Sequence, residues 1–389
     1  MKNNLPGAIV IEGHVQGLSN TRSLGCLGIP VYIIDVRKCI ASSSNYCKKF
    51  FICPDFQTEE FIEFLIDLAK RENLYGWVLI PSNDHAVYVI AKNKFLLETF
   101  YKIPTSDLSI IDNIYDKTKL LKIAENAGIH IPVTQCFSKV DELINPGLKF
   151  PVLTKGKNGL SFYKTIGKKA LIANNESELK EQLSYIESKY NVDRTFTQEL
   201  IPFDGTNKTI SFTAFCIGGV IKTYWMGVKL REHPLQFGTA TFAKSVYVKE
   251  CYEQSIPLLM SLNYTGVCEV EYLKDPRSGE YKLIEINART WLWVGLAKTC
   301  GVDYAKIIYD FVNNIPIDYP STYETNKYWI NPVTDLTYSF IAIIKKKQGI
   351  IEYFRSLRAG KITNALFLKN DIKPGIRYLI DLISIFRKR

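Results

Sequence analysis

The order of apolar runs and turn residues predicts strands alternating with helices over the first third of the chain. Ala8–Ile11 reads as a short strand, followed by a turn containing Gly13 and Gly17. Ser19–Leu27 reads as a helix closed by Gly28, and Pro30–Asp35 as the next strand. A helix over Thr58–Arg71 and a strand over Gly76–Pro81 continue the alternation, which predicts a doubly wound parallel sheet. An amphipathic helix is expected around Asp112–Lys122, and Gly128–Pro132 opens a second α/β segment. There Phe150–Lys155 is a strand, Gly156–Gly167 a polar loop, Ala170–Ala173 apolar again, and Ser177–Lys189 a helix with a weak Ser-x-x-Lys start. Thr195–Leu200, Thr209–Ile217, Val220–Leu230, Gly266–Leu273 and Glu280–Asn287 read as β segments, and helices follow from Trp293.

Composition narrows the class. With 389 residues, 47% of them hydrophobic and 23% charged, the chain is globular and long enough for two or three packed units. Its longest apolar stretches, such as Leu336–Ile344, are shorter than the roughly 20 residues a membrane-spanning helix needs. Met1–Pro6 carries no cleavable apolar segment, so a cytoplasmic protein is expected. The nine cysteines form no CxxC pair, and with four histidines a structural zinc site is not expected; the thiols read as reduced. Charge is unevenly placed. Of the net +10, +9 falls on Ile341–Arg389, where 12 basic residues face 3 acidic ones. Such a segment suits an anionic partner.

The strongest chemical signal is a predicted hairpin, Gly266–Leu273 and Tyr281–Arg289 around Asp275-Pro-Arg-Ser-Gly279. Strand side chains alternate faces, so Glu269 and Glu271 share one face, and Glu285, Asn287 and Arg289 share one on the return. Folding about Ser278 sets Glu271 against Glu285 and Glu269 against Asn287. Like charges opposed across a sheet are destabilising, and a cation between them resolves the conflict. Carboxylates and an amide are hard oxygen donors that suit Mg²⁺ (or Mn²⁺), and Arg289 is placed to hold a phosphate or carboxylate.

Other cations are weaker signals. Lys155 ends an apolar strand where it runs into a glycine-bearing loop, a place from which it can reach phosphate oxygens. Lys117 follows Asp116 at a helix start. Glu199 ends a β segment, and Lys229 and Arg231 read as two cations on one strand face before Pro234. Neither the GxGxxG fingerprint nor a Walker A loop is present, and Asp35 reads as a strand-end turn residue.

Taken in order, these motifs resemble the ATP-grasp superfamily. The likeness is to carboxylate–amine ligases related to the carbamoyl-phosphate synthase large chain and to D-aspartate ligase. It runs from about Pro6 to Asp318 through Ile11–Ile34, Pro81–Asp84, Tyr115–Thr118, Pro151–Lys155, Gln198–Pro202, Arg231–Phe242, Glu271 with Glu285–Arg289, and Gly295–Ala297. The resemblance implies an α/β ATP-grasp fold with an N-terminal doubly wound pre-ATP-grasp domain (1–114), a small lid subdomain (115–194), a large subdomain carrying the metal hairpin (195–320) and a basic helical C-terminal extension (321–389). It implies that Lys117 and Lys155 contact nucleotide phosphates, that Glu199, Leu200 and Ile201 form the adenine hinge, and that Asp204 contacts ribose. Glu271, Glu285 and Asn287 are the implied metal ligands, and Arg231, Arg289 and Lys155 the implied catalytic residues.

The implied reaction uses ATP to convert a carboxylate into an acyl phosphate, which an amine then turns into an amide. The partners are therefore small-molecule carboxylate and amine substrates; an amino acid, or a cell-envelope or polysaccharide precursor, is the candidate acceptor. A nucleotide-binding module without catalysis, and an ATP-dependent carboxylase or kinase, are the alternatives. Nucleic acid is not expected, because no aromatic stacking motif accompanies the basic tail. Over Gly375–Arg389, Ile376, Leu379, Ile380, Ile383 and Phe386 recur at helical spacing beside Arg377, Arg387 and Lys388. That helix suits either the inner face of an anionic membrane or the protein body, and both readings stay open, as does a homo-oligomer.

Overall fold

The computed structural model describes residues 5–387, except 234–237, 346–348 and 359 and the side chains of 160 and 383–387. Three sheets carry the chain. The first joins β1 (Ala8–Ile11), β2 (Val31–Asp35), β3 (Cys47–Ile52), β4 (Trp77–Pro81) and β5 (Tyr101–Lys102) in the order β3-β2-β1-β4-β5, all parallel. Alternation sorts its side chains onto two faces. Val10, Ile33 and Ile80 pack with Val15, Leu18 and Leu24 of the helix Val15–Cys26 on one side. Ile9, Ile34 and Leu79 pack with Phe61, Leu65 and Leu68 of the helix Glu60–Glu72 on the other. Burial on both faces is what a parallel sheet requires.

The first helix begins at Val15, four residues before the expected start, because Val15 and Leu18 already belong to its buried stripe. A side chain at Gly17 would place its Cβ 2.1 Å from the Glu12 carbonyl oxygen, so glycine permits the close strand-to-helix approach. The Asp35 carboxylate accepts the Gly13 N–H at 2.9 Å and fixes the same turn.

The second sheet joins β6 (Thr134–Gln135), β7 (Val152–Gly156), β8 (Leu171–Ala173) and β9 (Thr195–Glu199) in the antiparallel order β6-β9-β7-β8. The segment expected as a polar loop after Gly156 contains a helix, Gly159–Ile166. Asn158 caps it by accepting the Ser161 N–H at 3.0 Å, and Phe162 and Ile166 bury against Leu179 and Leu183 of the helix Glu176–Glu187. That second helix is capped not by Ser177 but by Asn175, which accepts the Glu178 N–H at 2.9 Å. The helix expected over Asp112–Lys122 is two, Leu108–Tyr115 and Lys117–Asn126, parted at Asp116, whose carboxylate caps the second.

The third sheet has β10 (Thr209–Ile217), β11 (Val220–His233), β12 (Thr239–Ser245), β13 (Gly266–Lys274), β14 (Tyr281–Asn287), β15 (Tyr328–Ile330) and β16 (Ile362–Asn364), ordered β14-β13-β10-β11-β12-β15-β16. The C-terminal segment is therefore not purely helical, since it supplies the last two strands beside the helices Pro332–Ile344, Ile350–Ser356 and Lys373–Arg387. Arg22, on the helix Val15–Cys26, binds it to the first domain by donating to Asp371 Oδ2 and to the carbonyls of Ala365, Leu366 and Asp371. The side chains of Ile383, Phe386 and Arg387, and all of Lys388, lie outside the described residues. All nine cysteines are free thiols. Among the described residues no helix is long and apolar enough to cross a membrane.

Candidate active site

β13 and β14 pair with Glu269 opposite Asn287 and Glu271 opposite Glu285. The opposed charges are met in part by lysines from other elements. Lys229, on β11, donates to both oxygens of Glu271 at 2.8 and 2.9 Å. Lys117, at the start of its helix, donates to Glu285 at 2.6 Å. Glu269 accepts the Ser211 hydroxyl at 2.7 Å and the Asn287 amide at 3.0 Å. Arg289 donates to Asn287 Oδ1 at 3.1 Å and to Asp84 at 2.9 Å. Glu269, Glu271, Asn287 and Lys229 are all buried, so these contacts act in a low-dielectric setting.

Ionisation follows from that geometry. The Lys117 cation, more than any other neighbour, holds the Glu285 carboxyl down at about 2. Burial, followed by repulsion from Glu271, pushes Glu269 up to about 8. Burial and the nearby Lys117 bring Lys155 down to about 8, against the pull of Glu285 and Glu271. Burial opposes the Lys229 charge, yet Glu271 raises its pKa above the ordinary lysine range.

These groups line one cavity of about 680 Å³, together with Lys155, Glu199, Leu200 and Ile201 from the second sheet and Gln16 and Asp84 from the first domain. The Glu199 carboxylate is already engaged in the wall, accepting from Lys282 at 2.6 Å, Arg277 at 3.0 Å and the Val133 N–H at 3.1 Å. Residues 199–201 line the cavity with the Glu199 carboxylate held by these three donors.

Two expected residues lie elsewhere. Asp204 is exposed and closes its own turn, accepting the N–H groups of Thr206 and Asn207. Arg231 makes a two-pronged pair with Asp335 at 2.8 and 2.7 Å and donates to Ser356. Lys229 and Arg231 do not share a face, because a bulge at Leu230 sets them against the consecutive residues Ala243 and Phe242. Pro234 lies outside the described residues.

Lys229, Glu269 and Asp84 were absent from the expected site set. Glu269 carries a sequence signal in its strand face and Asp84 in the Pro81–Asp84 motif, whereas the face of Lys229 is obscured by the bulge and the contact of Asp84 with Arg289 across 205 positions has no local signal. Three buried polar atoms of lining residues have no hydrogen-bond partner among the described residues: Gln16 Oε1, Arg289 Nε and Trp291 Nε1. Beside them burial raises the Glu12 carboxyl to about 7.

The oxygen donors fit a hard divalent cation in type. Among the described residues no three His, Cys, Asp or Glu side chains converge as a metal cluster, and the candidate set is two carboxylates with one amide, Glu271, Glu285 and Asn287.

Residues 239–317 match the carbamoyl-phosphate synthase L chain, ATP binding domain, family. The biotin carboxylase domain of the Hydrogenobacter thermophilus 2-oxoglutarate carboxylase superposes with a TM-score of 0.64 at 14% identity over 83% of this chain and 73% of that one. This is the ATP-grasp fold. Another ATP-grasp neighbour, the L-amino acid ligase from Bacillus licheniformis, has a TM-score of 0.61 at 15% identity over 79% of this chain and 74% of that one. The D-aspartate ligase of Enterococcus faecium (strain Aus0004) is 24% identical over 346 residues, covering 85% of this chain and 80% of that protein.

Proposed function

We propose that this chain is an ATP-dependent ligase that joins a small-molecule carboxylate to an amine through an acyl phosphate. The observation that carries the reading is the single cavity in which the β13–β14 acids face Lys117, Lys155, Lys229 and Arg289. Similarity to a D-aspartate ligase and an L-amino acid ligase supports amide formation, and the 2-oxoglutarate carboxylase domain was solved with MgADP.

In this account Lys117 and Lys155 hold the nucleotide phosphates, and the chain at 199–201 holds the adenine. Asp204 and Arg231, which are not among the lining residues of the cavity, are given no part in this reading. A magnesium ion bound by Glu271, Glu285 and Asn287 would supply charge neutralisation for the phosphate oxygens. Arg289, fixed by Asp84 and Asn287, orients the substrate carboxylate and stabilises negative charge on the transferred phosphoryl group. The chain needs no covalent nucleophile, and its work is positioning and electrostatics. In this reading residues 1–114 are the pre-ATP-grasp domain, 115–194 the lid, 195–320 the large subdomain with the metal hairpin, and 321–389 a basic C-terminal extension. The acceptor is an amino acid or a larger envelope or polysaccharide precursor.

Hydroxylamine trapping tests this. Purified protein with ATP, magnesium and a panel of amino and sugar acids is expected to release ADP and form a hydroxamate with at least one acid. ADP release stimulated by bicarbonate alone, or no acid-dependent hydroxamate at all, overturns the ligase reading.

A further inference from the structure

The C-terminal helices keep apolar residues on their outer faces although their inner faces are already packed. On Pro332–Ile344, Asp335 and Ser339 are buried, while Leu336, Phe340 and Ile344 are 59%, 60% and 64% exposed. On Ile350–Ser356, Tyr353 is buried and Ile350, Ile351 and Phe354 are exposed. On Lys373–Arg387, Pro374 and Gly375 are buried, with Gly375 against Phe367, while Ile376, Leu379 and Ile380 face outward at helical spacing. Body packing therefore explains the inner faces and leaves the outer ones unaccounted for. Arg231 ties the first two helices together, pairing with Asp335 and lying 5.1 Å over the Tyr353 ring, so their faces are held at fixed places. Apolar exposure repeated on three neighbouring segments of the chain marks an interaction surface.

Charge selects the occupant. Lys345, Arg355, Arg358, Lys369 and Lys373 are exposed, and among the described residues none of them forms an ion pair. Of the three acids in residues 341–389, Asp371 pairs with Arg22 and Asp381 with Arg377, which leaves the exposed Glu352 against five exposed cations. A second copy of the chain would bring the same positive surface against itself, which like-charge repulsion disfavours. An anionic lipid surface offers both the apolar layer and the complementary charge.

We propose that the outer faces of Pro332–Ile344, Ile350–Ser356 and Lys373–Arg387 dock the protein on an anionic lipid bilayer. The apolar side chains enter the interface, and the flanking lysines and arginines meet the headgroups. The surface stands on geometry separate from the catalytic cavity, so it is tested independently of the ligase reading.

The test is co-sedimentation of the full chain with sucrose-loaded vesicles of pure phosphatidylcholine or of phosphatidylcholine and phosphatidylglycerol at 70:30. Binding to the anionic vesicles is expected to exceed binding to the neutral ones by at least about tenfold and to weaken steeply with salt. Phe340→Asp with Ile376→Asp, and separately Lys369→Glu with Lys373→Glu, are each expected to lower it by roughly tenfold with no change in melting midpoint or in ADP release without vesicles. Equal binding by wild type and by both stably folded variants overturns the proposal. Absence of vesicle binding, with concentration-dependent dimerisation that Phe340→Asp abolishes, also overturns it and assigns the surface to a second copy. Should the aspartate variant fail to fold, the charge-reversal variant decides alone.

Discussion

At the scale of single residues, the site is a set of charges whose ionisation depends on one another. Glu285 owes its low pKa first to Lys117, and each is the other's direct ion-pair partner at 2.6 Å. Glu285→Gln removes a candidate metal donor and leaves Lys117 without that partner. It is expected to lower kcat for acid-dependent ADP release by roughly 100-fold with little loss of fold, measured by coupled ADP assay alongside a melting curve. Lys155 gives a pH test. Its pKa in the nucleotide-free protein is about 8, and a bound polyphosphate raises it. Affinity is therefore flat below pH 8 and falls as pH rises above it, with proton uptake on binding in that range. Titration calorimetry in two buffers of different ionisation enthalpy reads this directly, and equal heats at pH 9 would exclude Lys155 as the titrating contact.

At the scale of elements, the hairpin places the acids and the bulge on β11 decides which cation joins them. The pairing of Glu271 with Glu285 was legible because both strands are local and joined by a short turn, although the register shifts between Glu271 and Tyr272, an irregularity that alternation does not announce. Lys229 meets Glu271 from 42 positions away, and the bulge at Leu230 breaks the alternation from which its face would be read. The helix after Gly156 was hidden for another reason. Its polar start is an Asn158 cap rather than a loop, and among the described side chains Phe162 and Ile166 mark its buried side. The bulge also makes a prediction about Arg231. Arg231→Ala strands the fully buried Asp335 carboxylate, which is expected to cost about 3 kcal/mol in urea denaturation while leaving the KM for ATP unchanged. Unaltered stability with a collapse of kcat would instead return Arg231 to the phosphate.

At the scale of the molecule, the cavity exists because three sheets meet. Gln16 and Asp84 come from the first domain, Lys155 from the second sheet and the acids from the third. The pattern predicted three of the five strands of the first sheet and missed β3 and β5. The joining contacts were beyond it, since Arg22 to Asp371 and Arg289 to Asp84 span 349 and 205 positions. Arg22→Ala leaves Asp371 buried without its cation and is expected to destabilise the fold by about 3 kcal/mol, seen as a lower urea midpoint with the ATP site intact. The central claim is that the hairpin acids gather a divalent ion and a triphosphate in this shared cavity. Calorimetric titration of ATP with and without magnesium, on the wild type and on Glu271→Gln/Glu285→Gln, tests it most directly. Magnesium is expected to tighten ATP binding in the wild type and to have no such effect in the double variant. Magnesium-dependent binding of equal strength in both proteins would contradict the account.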